Sequence, residues 1–214
     1  MICRACSVKQ HRMKFKLFST ECEISYTLLC VAALCVFLGI YKGLFPCVTA
    51  VMIHESGHLL AMRFLGYFPE RIKVSLFEIS ISDTARQCRS EKSNILIIFF
   101  GPAANFICLI AFYLLYLNGK EFFLPFAVAN FSVGLFNSLP VMSLDGGQLL
   151  YLFLSRFYSH GKSEKIVDIA TIILIIPLAV LGFIILFNSK YNFSLLFVCV
   201  YLILSLIFKD NRYY

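Results

Sequence analysis

Long apolar runs separated by short polar segments dominate the chain. A helix that spans a bilayer needs about 20 mainly apolar residues, and on that criterion the sequence predicts about six spanning helices. The predicted helices cover residues 24–41, 44–65, 95–117, 122–139, 166–187 and 193–208, the last of which is short. The pattern therefore predicts an all-α membrane protein.

The segment between the second and third apolar runs has a different period. Over residues 71–83, Ile72, Val74 and Leu76 alternate with polar positions, and Ile79 and Ile81 alternate again after a change of phase. Alternation with a period of two is typical of strands. Unpaired backbone cannot face lipid, so these strands are expected at the membrane interface or packed against helices. We therefore predict a short interfacial β segment after the second helix.

Three ionisable residues interrupt the second apolar run. His54 and His58 are one helical turn apart, so both imidazoles can face one metal ion, and Glu55 stands beside them. At 1.5 Å per residue, His58 lies about 10 Å and His54 about 16 Å from the cytoplasmic end of this helix. The pattern could be the polar face of an amphipathic helix, but burial in hydrocarbon makes such a face costly. We interpret H-E-x-x-H as a zinc hydrolase site with Glu55 as general base and acid.

A third metal ligand must come from elsewhere, because catalytic zinc commonly has three protein ligands. Residues 137–147 contain a proline and paired glycines that predict a break in the helix at membrane depth. Asp145 in this segment is the best candidate ligand, although an aspartate before Gly146 and Gly147 is also common in turns. Asn137, in the same segment, is a candidate donor to the oxyanion of the reaction.

The third apolar run contains the small residues Gly101 to Ala104, followed by Asn105. Small residues let neighbouring helices approach closely, and polar side chains commonly join spanning helices by hydrogen bonds. For Asn105 we favour a hydrogen bond between helices over a role at the metal site.

Composition excludes a soluble globule. Of the 214 residues, 60% are hydrophobic and 14% are charged, and the mean hydropathy is +0.83. The net charge of +7 does not indicate a nucleic-acid partner, because the basic residues are interleaved with the apolar runs. Their distribution follows the positive-inside rule if both termini are cytoplasmic. We expect one membrane domain over residues 24–208, with cytoplasmic tails at 1–23 and 209–214.

These motifs resemble those of the site-2 protease family of intramembrane zinc metalloproteases (peptidase family M50). His54-Glu55-Ser56-Gly57-His58 is similar to the family's H-E-x-G-H, and Asn137 to Gly146 is similar to its second motif. Gly101 to Asn105 resembles its helix-three signature. The resemblance implies that His54, His58 and Asp145 bind one Zn²⁺ ion and that Glu55 is catalytic.

Within the family, the chain most resembles the branch of stage IV sporulation protein FB. Arg71-Ile72-Lys73 and the residues 144–150 carry this resemblance. It implies a membrane-associated protein substrate such as a sporulation sigma-factor precursor, and membrane-bound inhibitor or regulator proteins. The expected location is a bacterial inner membrane, including the mother-cell membrane around a forespore.

Two other classes of function remain open from the sequence. Buried histidines and an aspartate also form transit sites in metal or ion transporters. A catalytically silent membrane scaffold would not need Glu55. Replacement of Glu55 separates these classes, because only the protease requires its carboxylate for turnover.

Overall fold

A computed structural model describes residues 12–17, 20–25, 41–68, 71–74, 79–82, 89–188, 199–200 and 202–203. Most of these residues are helical. The elements in chain order are β1 (Arg12–Leu17), β2 (Thr20–Ser25), α1 (Tyr41–Phe64), β3 (Arg71–Val74), β4 (Ile79–Ser82), α2 (Glu91–Leu117), a 3-10 turn (Glu121–Phe123), α3 (Leu124–Asn137), α4 (Asp145–Leu154) and α5 (His160–Asn188).

Three helices are long and apolar enough to cross a membrane within the described part of the chain. They cover Gly43–Phe64 in α1, Glu91–Leu117 in α2 and His160–Ile184 in α5, with mean hydropathies of 1.2, 2.4 and 2.6. Large apolar side chains on α2 are exposed, as expected for a surface in contact with lipid; they include Ile107, Ile110 and Leu114. These helices coincide with the second, third and fifth predicted runs.

Two of the remaining predicted runs differ from the structure at their ends. The fourth contains the 14-residue helix α3, which at 1.5 Å per residue is about 21 Å long and shorter than a hydrocarbon core of about 30 Å. The first was predicted to begin as a helix at Ile24, but Ile24 and Ser25 are the last residues of β2. Residues 26–40 of the first run, and most of the sixth, lie outside the described residues.

The four strands form one sheet in the order β1-β2-β3-β4. β1 pairs antiparallel with β2, and β3 pairs antiparallel with β4, with Ile72 opposite Ile81. β2 and β3 are parallel, with Ile24 opposite Val74. β3 and β4 lie in the segment that alternates in sequence, whereas β1 and β2 were not predicted.

The end of α1 is set by Gly66. Gly66 has a φ of +77°, a conformation that glycine adopts without a Cβ clash. Its N–H donates to Arg63 O at 3.1 Å, and Tyr67 N–H donates to Met62 O at 2.9 Å. These bonds satisfy carbonyl groups at the end of the helix and turn the chain toward β3.

Helices α1, α2 and α3 pack against one another, α4 packs against α2, and α5 packs against α4. The approach of α1 to α2 is close at Gly57, where a Cβ would clash with the carbonyl group of Phe100. α2 is thus in contact with both α1 and α4. This arrangement brings the H-E-x-x-H helix and the start of α4 to the same region of the bundle.

Candidate metal centre

His54, His58 and Asp145 converge on one point between α1 and α4. Oδ2 of Asp145 lies 3.0 Å from Nε2 of His54 and 3.2 Å from Nε2 of His58. The two Nε2 atoms are themselves 3.2 Å apart. His54 is buried and the other two side chains are partly buried. The structure therefore brings together the three residues that the sequence singled out as metal ligands.

The outer nitrogen of each imidazole has an acceptor on α2. Nδ1 of His58 lies 2.8 Å from the main-chain oxygen of Ile97, and Nδ1 of His54 lies 2.8 Å from Oδ1 of Asn105. A carbonyl oxygen accepts hydrogen bonds and cannot donate them, so each Nδ1 carries the proton. A ring that carries its proton on Nδ1 presents the lone pair of Nε2 to the centre of the site when it binds a metal. Neither acceptor was assigned to the site from the sequence. The main-chain oxygen of Ile97 could not have been, because a main-chain contact does not depend on the residue type.

The three converging atoms fit a zinc ion. Among the described residues, Oδ2 of Asp145 is buried and accepts no hydrogen bond. Two nitrogen lone pairs and a carboxylate oxygen in mutual contact repel one another unless a cation lies between them. Tetrahedral zinc with bonds of about 2.0–2.2 Å holds its ligand atoms roughly 3.3 Å apart, close to the separations seen here. The donor set of two imidazoles and one carboxylate is also typical of zinc enzymes.

Asp145 reaches this point because the segment before it is anchored in the core. Val141 and Leu144 are buried in an apolar cluster with Ile175 of α5 and Leu202. The hydroxyl of Thr171 on α5 donates to Pro140 O at 3.0 Å. Asp145 then begins α4, as the first residue of the helix. The helix break predicted from Pro140 and the paired glycines thus serves to place a carboxylate.

Glu55 lies next to the three ligands. It is partly buried on α1 and interacts electrostatically with His54, His58 and Asp145. A carboxylate at this position is suited to exchange a proton with a water molecule at the metal.

Asn137 is the last residue of α3 and is partly buried. Its Nδ2 donates to Val133 O at 3.0 Å, one turn back along the same helix. It is not among the three clustered ligands. The amide nitrogen carries a second hydrogen that this bond does not use.

Comparisons with known proteins agree with this geometry. The model of peptidase family M50 matches residues 117–181. Stage IV sporulation protein FB of Bacillus subtilis is 28% identical over 139 residues, which are 64% of this chain and 48% of that protein. A zinc metalloprotease of Methanocaldococcus jannaschii is 30% identical over 124 residues, 55% of this chain and 35% of that protein. The chain thus spans less than half the length of either relative.

The fold is also similar to a solved structure. A site-2 protease from Methanocaldococcus jannaschii matches with a TM-score of 0.64 and 20% identity, over 92% of this chain and 94% of that one. The chain therefore has the fold of a site-2 protease. By sequence it is similar to peptidase family M50 over residues 117–181, and to a sporulation protein and a zinc metalloprotease over 64% and 55% of its length.

Proposed function

We propose that this protein is an intramembrane zinc metalloprotease that cleaves a membrane-associated protein. The observation that carries the proposal is the contact of His54 Nε2, His58 Nε2 and Asp145 Oδ2, at 3.0–3.2 Å, beside the carboxylate of Glu55. His54, Glu55 and His58 lie on a helix with the length and composition of a membrane span. Ionisable groups in such a helix are costly and are retained for function.

In the proposed reaction, His54, His58 and Asp145 hold the metal and Glu55 moves the proton. When bound, zinc polarises the scissile carbonyl group and lowers the pKa of water. Glu55 takes a proton from the water molecule whose oxygen attacks the carbonyl carbon. It then delivers that proton to the amide nitrogen as the C–N bond breaks, so it acts first as base and then as acid.

Asn137 is proposed to donate a hydrogen bond to the oxyanion that forms during the attack. Support comes from its position on the segment that leads to Asp145 and from the second hydrogen on its amide nitrogen, which the bond to Val133 O does not use. A donor held at that oxygen stabilises the transition state more than the substrate.

The substrate is proposed to bind in an extended conformation, because a peptide bond inside a helix has no accessible carbonyl carbon. β4 supports this proposal, since among the described strands it pairs with β3 alone and its other edge is open to a further strand. We place both termini of the protein in the cytoplasm on the basis of its charge distribution. Cleavage is then expected near the cytoplasmic end of the substrate's membrane segment.

A role in sporulation is proposed from the similarity to stage IV sporulation protein FB. The substrate would be a membrane-tethered precursor, such as that of a sporulation sigma factor, in a bacterial inner membrane. Membrane-bound inhibitor proteins would then control the protease. Co-expression with candidate precursors, followed by identification of the new N-terminus of the cleaved product, tests the proposed substrate. Cleavage of none of the precursors would contradict the sporulation role, and a new N-terminus on the side opposite to the cytoplasm would contradict the predicted position of cleavage.

Glu55→Gln tests the activity itself. The variant keeps the size and polarity of the side chain but loses its basicity, so it should abolish proteolysis while the bound zinc remains. Glu121→Gln is the matched control, because Glu121 is an exposed acid in the 3-10 turn before α3. Proteolysis by the Glu55→Gln variant at the wild-type rate would contradict the proposal. A transport activity that survives the substitution would instead favour a transporter.

A further inference from the structure

We propose that Asn105 is a positioning residue that fixes the ring of His54 with Nε2 free for the metal. The inference rests on the proposed zinc site and adds a residue outside the H-E-x-x-H and Asp145 motifs. Its basis is a chain of hydrogen bonds that begins on α3, passes through α2 and ends at His54 on α1. The direction of every bond in this chain can be derived from the structure.

The direction is set first on α3. Nδ2 of Asn130 donates to the main-chain oxygen of Phe126 at 2.9 Å. Because that oxygen can only accept, the amide nitrogen of Asn130 must face it. The side-chain oxygen of Asn130 is therefore turned toward Asn105, where it accepts a hydrogen bond at 3.0 Å.

The orientation of Asn105 follows from two acceptors. Its Nδ2 donates to Oδ1 of Asn130 at 3.0 Å and to the main-chain oxygen of Ala50 at 2.9 Å. An amide nitrogen has two hydrogens, so both are used. Its Oδ1 is left to face Nδ1 of His54 at 2.8 Å. An oxygen at that position requires a proton on Nδ1, and the lone pair of the neutral ring is then on Nε2.

Burial makes this arrangement rigid. Asn105 and Asn130 both have 0% exposure, so water cannot replace a lost partner at their surfaces. Asn105 also contacts α1 at two points one helical turn apart, the carbonyl of Ala50 and the ring of His54. The Asn105 side chain therefore fixes both the axial position of α2 relative to α1 and the rotation of the His54 imidazole.

His54 and His58 differ in how they are held. The acceptor of His58 is a main-chain oxygen, which no side-chain substitution removes, whereas the acceptor of His54 is a side chain. Outer hydrogen-bond partners of metal-bound histidines commonly change metal affinity by about 10–100-fold when they are removed. Asn105 is thus the position at which this effect can be measured.

The test is zinc affinity, measured by competition with a chelator on the purified full-length protein in detergent. Asn105→Leu removes the acceptor but keeps the branched shape of the side chain, and it should weaken zinc binding by about 10–100-fold. Asn130→Leu is the matched comparison: it removes one of the two acceptors that orient Asn105 but leaves Ala50 O and the bond to His54, so zinc affinity should fall less than in Asn105→Leu. Thermal unfolding of the metal-free proteins should be lowered in both variants.

Asn105→Asp separates positioning from packing. Both Asn105→Asp and Asn105→Leu lose the two donated hydrogen bonds, but the aspartate keeps an oxygen for Nδ1 of His54. Zinc should therefore bind more tightly to the aspartate variant than to the leucine variant. Equal zinc affinities in these two variants, or an equal loss in Asn130→Leu, would overturn the inference. If the wild-type protein itself binds no zinc, the proposed function fails instead.

Discussion

Gly101 on α2 lies directly against the imidazole of His58 on α1. A Cβ at position 101 would clash with Cε1 and Nε2 of His58 and would lie 3.0 Å from Cε1 of His54. The absence of a side chain here therefore leaves space for the metal-facing edges of both rings. This relationship gives the Gly-Pro-Ala-Ala-Asn segment of α2 two contacts with the site, through Gly101 and through Asn105.

Substitution of this glycine should damage the metal site. Gly101→Ala forces the ring of His58 to move, at an overpacking cost of about 1–3 kcal/mol, and we expect zinc affinity and proteolysis to fall together. Gly43→Ala is the matched control on α1, because its Cβ would meet no atom within 4 Å. It should leave zinc binding unchanged and stabilise the helix by up to about 1 kcal/mol. Normal zinc affinity in Gly101→Ala would show that the rings have more freedom than the structure indicates.

Gly147 should be needed to hold Asp145 in place. A Cβ on Gly147 would clash with the carbonyl group of Val141, so an alanine must shift the start of α4 away from the preceding loop. We expect Gly147→Ala to weaken zinc binding through displacement of Asp145. Gly161→Ala at the exposed start of α5 meets nothing within 4 Å and serves as the control. Chelator competition measures both variants, and the same zinc affinity in the two would refute this role.

Asn137 should affect turnover rather than metal binding. Loss of one oxyanion donor typically lowers kcat by about 10²–10³-fold, and we expect Asn137→Ala to do so with zinc content unchanged. Ser132→Ala is a suitable control, because Ser132 also donates to the carbonyl one turn back on α3 and is exposed. Two measurements distinguish a catalytic from a structural role of Asn137: turnover of a reconstituted substrate, and zinc content by elemental analysis. Loss of zinc in Asn137→Ala would make the residue structural.

The sequence predicted the long helices well because lipid imposes a simple rule on them. Apolar runs of sufficient length located α1, α2 and α5. The predicted start of the first helix was wrong, because Ile24 and Ser25 are the last residues of β2; residues 26–40 lie outside the described residues. The alternation in Lys14-Phe15-Lys16-Leu17 was the available signal for β1, but a strand there acquires its partners only through the sheet.

The candidate site was predictable in its residues but not in its supports. His54 and His58 share a helical face by spacing alone, and Asp145 stood out as an acid beside a helix break. Asn105 was expected to join helices, and it does so through Ala50 and Asn130. Its bond to His54 depends on the depth and rotation of α2 against α1, which are set by packing. The sequence around Asn105 does not predict the depth or the rotation of α2 against α1.

The central claim is that two imidazoles and the carboxylate of Asp145 bind one zinc ion. Zinc K-edge X-ray absorption on the purified protein, beside its Asp145→Ala variant, tests it most directly. We expect one zinc per wild-type chain, with imidazole and carboxylate scatterers at about 2.0–2.2 Å, and loss of the carboxylate contribution or of the zinc in the variant. A wild-type protein without zinc, or an Asp145→Ala spectrum identical to that of wild type, would contradict the account.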